Sequence, residues 1–127
     1  MSALSAPTSR VRPAPVIAAT VLLALDALNN LSSISGFLSG APIPAAIVAT
    51  EVALGVVEII AAVGLWGLHK WGAVLATVAA ALTLLVSAMG VFGATSATGK
   101  GIAAIGVILS IAVIVSVALP TARRAYV

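Results

Sequence analysis

The sequence predicts an all-α protein, a four-helix transmembrane bundle with both termini in the cytoplasm. Three observations lead there. Of 127 residues, 62% are hydrophobic and only 7% charged, against roughly a quarter charged in a soluble domain. The apolar residues gather in four runs of about 20, the length of helix that crosses a bilayer core ~30 Å thick at 1.5 Å per residue. Short turn- and loop-like stretches, "SGAPIP" and "GATSATGKG", part those runs. The many valines and isoleucines do not argue for strands, because in lipid the backbone must satisfy its own hydrogen bonds and an open sheet cannot.

Residues 1–15 are a polar lead with Arg10, Arg12, Pro7, Pro13 and Pro15, expected to be disordered. The first span is expected over 16–38 and stops at "SGAPIP", whose glycine and prolines mark a turn. The second, over 45–68, starts behind Pro44, since proline is tolerated in a first helical turn, and ends in "GLWGLHKWG". The third covers 71–92 and gives way to "GATSATGKG", a loop of small residues. The fourth covers 102–119, and a short basic tail, 121–127, closes the chain. Arg10 and Arg12 ahead of an apolar stretch also resemble the start of a signal peptide. The run does not break at an A-x-A site, so span one is expected to be retained.

Orientation follows from Lys and Arg near the span ends. Arg10, Arg12, Lys70, Arg123 and Arg124 share one side, and only Lys100 lies on the other. The first group belongs in the cytoplasm, which makes this a multi-pass protein of the cell (inner) membrane. Trp66 and Trp71 flank His69 and Lys70 at that boundary, where indoles and cationic side chains anchor well.

Several function classes drop out. With no cysteine there is no disulfide, thiolate or cysteine metal chemistry. Six scattered basic residues form no block suited to nucleic acid. Gly99 and Gly101 around Lys100 lack the flanking pattern of a phosphate loop, and neither HExxH nor a carboxylate-bridge ExxH motif is present. No enzyme activity, cofactor or metal site is expected.

What remains is polar sequence inside the spans. All three acids of the chain, Asp26, Glu51 and Glu58, lie in apolar runs. Asn29, Asn30 and Ser33 follow Asp26 at helical spacing, on its face. Glu51 and Glu58 are seven apart, hence on one stripe. Spans joined by a short loop run antiparallel, so Asp26 should match Glu58 in depth, and Ser33 should match Glu51 about 10 Å further out. Thr83, Ser87 and Ser110 add hydroxyls from spans three and four.

A carboxylate at a helix centre costs roughly 2.5–3.5 kcal/mol on insertion scales, or about 8–10 kcal/mol for three. No cationic side chain of the chain sits at that depth to offset it. Two carboxylates ~4 Å apart repel by about 4 kcal/mol at an effective dielectric of 20. The open choices are a held proton, a bound cation, a water-filled cavity, or a cation lent by a partner. The acids therefore form a candidate proton or cation pathway, Asp26, Glu58 and Glu51, with Asn29, Asn30, Ser33, Thr83, Ser87 and Ser110 supporting it. The bland alternative is protonated acids hydrogen-bonded across the bundle. His69 reads as an interfacial residue beside two tryptophans.

Two strips of small residues, Ala45/Ala49/Ala53 and Gly72/Ala76/Ala80, let helices approach closely. They predict packing within the bundle or between copies. Besides the lipid bilayer, then, the expected partners are further copies of this chain or another membrane protein. Two functions follow: proton- or cation-coupled transport, or a non-catalytic subunit or assembly factor of a larger membrane complex.

The tract "VALGVVEIIAAVGLWGLHKWGAVLATVAAALTLLVSA", with "TARRAYV" at the end, resembles small four-span bacterial membrane proteins that have no assigned function. They share the "GLW…WG" hairpin between spans two and three. The chain has a weaker resemblance to DoxX-like four-helix membrane proteins, which implies an accessory role in redox or quinone-linked complexes.

Overall fold

The computed structural model of the protein describes residues 11–40, 42–94 and 96–127. The expected disorder of the polar lead falls mainly on residues 1–10, outside the described residues. Six helices follow in order: α1 (Ala14–Leu31), α2 (Ser33–Leu38), α3 (Ala45–Trp66), α4 (Lys70–Gly93), α5 (Ala97–Ala118) and α6 (Pro120–Arg123). Helices α1 and α2 form one apolar stretch of 25 residues, and with α3, α4 and α5 they make four segments long and apolar enough to cross a bilayer. Such a fold is compatible with a small integral membrane protein in contact with lipid.

Its cross-section is a square. Helix α1 packs on α3 and α5, α4 packs on the same two, and α1 barely meets α4 across the diagonal. Consecutive spans are therefore antiparallel neighbours, as short connections require. The outer surface is apolar, with Val56, Val63, Val74, Leu85, Met89 and Ile108 exposed, while Asp26, Glu58, Thr83 and Ser110 are fully buried. Apolar outside and polar inside is the arrangement that lipid imposes.

Glycines set how closely the spans approach. A Cβ at Gly64 would lie 2.7 Å from the Gly72 Cα, and one at Gly72 would lie 2.6 Å from the Leu65 nitrogen. Helices α3 and α4 thus touch backbone to backbone beside their hairpin. Gly55 does the same against α1, where a Cβ would sit 3.2 Å from the Ala27 carbonyl oxygen. Of the two small-residue strips, Gly72, Ala76 and Ala80 are consumed inside the bundle, whereas Ala45, Ala49 and Ala53 face outward on α3.

The α3–α4 hairpin closes with a Schellman motif. The His69 N–H donates to the Gly64 carbonyl at 3.0 Å and the Leu68 N–H to the Leu65 carbonyl at 2.9 Å. Leu68 itself takes the left-handed conformation, with φ of 60°. For a residue with a Cβ this costs about 1–2 kcal/mol. Burial of the Leu68 side chain, 3% exposed, opposes that cost. So does a strap from the chain end: Val127 N–H donates to the Leu68 carbonyl at 2.9 Å, and Lys70 N–H donates to the Val127 carbonyl at 2.8 Å.

The N-terminal side reaches the same place. Arg12 Nε donates to the Trp66 carbonyl at 2.6 Å, with its guanidinium 4.1 Å above the Trp66 ring. Arg12, the α3–α4 hairpin and the C-terminal residues therefore occupy one end of the bundle.

Span ends differ from the expected ones in one informative place. Helix α5 starts at Ala97, not near Ile102. The Ser96 hydroxyl accepts the Gly99 N–H at 3.0 Å, a serine N-cap that turns most of "GATSATGKG" into helix. Between α1 and α2, the Ser32 hydroxyl donates to the Asn29 carbonyl at 2.6 Å, and α2 buries none of its residues.

Candidate functional site

Four spans converge on two carboxyl groups. Asp26 on α1 and Glu58 on α3 are both 0% exposed, and their carboxyls lie within hydrogen-bonding range of each other. They meet because α1 and α3 are antiparallel and approach closely at Gly55, one turn from Glu58. The other spans fill in around them. Ser110 Oγ of α5 donates to Asp26 Oδ2 at 3.0 Å. Asn30 Nδ2 of α1 donates to Glu58 Oε1 at 2.5 Å and to Thr83 Oγ1 of α4 at 3.1 Å.

Two oxygens stand apart from this network. Asp26 Oδ1 and Glu58 Oε2 are buried with no hydrogen-bond partner. An ionised carboxylate only accepts, so two carboxylates in contact cannot satisfy one another unless a proton or cation joins them. At ~4 Å, two bare charges repel by about 4 kcal/mol even at an effective dielectric of 20. A single shared proton removes the repulsion and supplies the donor that the pair lacks. The remaining acceptors are already met by Ser110 and Asn30.

Glu51 lies apart, one stripe further along α3 and half-buried, on the side of Ser33. The Ser33 hydroxyl donates to the Asn30 carbonyl at 2.9 Å, within its own helical turn. The remaining polar positions stand further off. Asn29 Nδ2 donates to the Ile102 carbonyl of α5 at 3.3 Å. Ser87, 5% exposed, packs on Gly106, where a Cβ would collide with its hydroxyl and come within 3.1 Å of Asn29 Nδ2. These two dock α5 rather than touch the acids.

Toward the end that carries the termini, the space below Asp26 is closed by apolar side chains: Val16, Leu23, Leu65 and Val113, each 0% exposed. Toward the other end lie Asn30, Ser33 and Glu51. The site is thus polar on one side and dry on the other. His69 lies exposed at the α3–α4 hairpin, stacked on Trp71 at 5.7 Å between centroids.

A second polar cluster, absent from the reading of the sequence, gathers at the termini end. Lys70, Arg123 and Tyr126 edge a groove between α4, α5 and α6. Its signal in the sequence is faint, because Lys70 lies more than 50 positions from Arg123 and Tyr126 and only folding brings Tyr126 back to the hairpin.

Compared with family models, with curated proteins and with solved structures, the chain matches none.

Proposed function

We propose that this is a small multi-pass protein of the cell (inner) membrane that carries protons or cations through the Asp26–Glu58 pair. The observation that supports it is the pair of orphaned oxygens, Asp26 Oδ1 and Glu58 Oε2, buried without partners on two neighbouring carboxyls in a network drawn from all four spans. Ionisable groups inside a membrane domain mark proton and ion pathways more often than structural contacts. Glu51 and Ser33 form the entry station. Helix α2 buries nothing, so its displacement loses little packing and would open the Glu51 end. Passage to the other side requires the apolar layer of Leu23, Leu65 and Val113 to part.

Both termini face the cytoplasm in this reading, because the end that gathers Arg12, Lys70, Arg123 and Arg124 is the cation-rich one. Single cysteines at Thr121 and Thr98 should then label from the cytoplasmic and the external side respectively. Labelling of Thr98→Cys from the cytoplasm would reverse the orientation.

A second reading rests on Ala45, Ala49 and Ala53, an exposed strip on α3 that suits close approach by another helix. It makes the protein a non-catalytic subunit or assembly factor, the accessory role that the DoxX-like resemblance implies, and it also accommodates self-association. Reconstitution alone in liposomes separates the two. With an internal pH-sensitive dye and an imposed proton gradient, the transport reading expects wild-type flux, slowed flux in Glu51→Gln, and none in Glu58→Gln. Wild-type vesicles as tight as empty ones, to protons and to alkali cations alike, would leave the subunit reading standing.

A further inference from the structure

The groove at the termini end has a volume of about 570 Å³, and Lys70, Val74, Val78, Val117, Arg123 and Tyr126 are among the residues that line it. Its chemistry is graded. Lys70 and Arg123 stand at the membrane boundary, and Val74 and Val78 follow along α4, 64% and 51% exposed. At 1.5 Å per residue, the eight residues from Lys70 to Val78 carry that wall about 12 Å into the apolar layer. No acidic residue lines it, and all three acids of the chain lie elsewhere.

Tyr126 closes one side of the groove: it lines it, is 8% exposed, and its hydroxyl is buried. The strap of Val127 between Leu68 and Lys70 fixes its position. Two cations above an apolar trough match an anionic headgroup above an acyl chain.

We propose that this groove is a binding site for one anionic phospholipid, with its headgroup held by Lys70 and Arg123 and an acyl chain laid along Val74, Val78 and Val117. The occupant comes from the leaflet at the termini end. Anionic lipids attract basic residues at a membrane surface, and burying a tail in the trough excludes free phosphate as the main ligand. The site is independent of the carboxyl pair and holds whether or not that pair carries protons.

Native mass spectrometry of the detergent-purified full chain tests it, with dioleoyl phosphatidylglycerol and dioleoyl phosphatidylcholine as probes. The wild type should retain one phosphatidylglycerol with about a 25-fold preference, from two cations each worth roughly fivefold. Lys70→Gln combined with Arg123→Gln should erase the preference, and Lys100→Gln, at the other end, should leave it intact. Val74→Trp should reduce retention of either lipid by filling the trough. All three variants alter exposed positions, and thermal unfolding checks their folding. Equal retention of the two lipids by the wild type, a preference that survives the double variant, or displacement of phosphatidylglycerol by millimolar inorganic phosphate would each overturn the proposal.

Discussion

Gly72→Val should abolish folding of the bundle. A Cβ at this position sits 2.6 Å from the Leu65 nitrogen and 2.7 Å from the Gly64 Cα, and both are backbone atoms that no rotamer change can move. Replacing a helical glycine ordinarily gains up to about 1 kcal/mol in helix propensity. Overpacking typically costs about 1–3 kcal/mol and sometimes more, and here the clash falls where two helices touch without intervening side chains. Sterics win, and α3 and α4 must separate beside a hairpin that also anchors the chain end. Thermal unfolding in mild detergent should show loss of the cooperative transition. Ala53→Val is the contrast: Ala53 faces outward on α3, and its substitution should change stability by no more than about 0.5 kcal/mol. A cooperative, wild-type-like transition in Gly72→Val would show that the two helices are further apart than described.

The second large effect concerns the carboxyl pair, where fold and function should part company. Asp26→Asn offers an N–H to the orphaned Glu58 oxygen while keeping an acceptor for Ser110. Glu58→Gln keeps an acceptor for Asn30 and offers an N–H to Asp26 Oδ1. Either amide replaces the bridging proton with a fixed donor, so the network stays satisfied and the bundle should unfold at nearly the wild-type temperature. Flux through the pair should nevertheless stop, since an amide cannot release that proton. Glu58→Leu is different. It leaves Asp26 Oδ1 buried with nothing to meet it, a loss of about 1–3 kcal/mol. Should Glu58→Gln destabilise the bundle as much as Glu58→Leu, the bridge between the acids is not a hydrogen bond, and a bound cation is the better account.

Much of this architecture was legible before the structure. The antiparallel hairpin between spans one and two fixes depth by counting, so Asp26 opposite Glu58 and Ser33 opposite Glu51 follow from residue numbers and helical rise. The start of α5 was not legible, because "GATSATGKG" has the composition of a loop and only the Ser96 cap shows that the helix recruits it. The roles of the small-residue strips were equally hidden. The same spacing serves contacts inside a bundle and between copies, and Gly72, Ala76 and Ala80 are spent on the first. Isoleucine at Ala76 or Ala80 would therefore disturb the fold itself and says nothing about association. The groove at the termini end was the least visible, since its polar edge is assembled from Lys70, Arg123 and Tyr126 by a tail that reads as a mere basic end.

The most direct test of the central claim is infrared titration of the carboxyl groups in the purified protein. A shared proton between Asp26 and Glu58 predicts a protonated carboxyl C=O band that persists at neutral pH. That band should be missing from the protein carrying both Asp26→Asn and Glu58→Gln, with Glu51 as its only acid. Complete ionisation of both central acids by about pH 5, as expected of free carboxyls titrating near 4, would contradict the account.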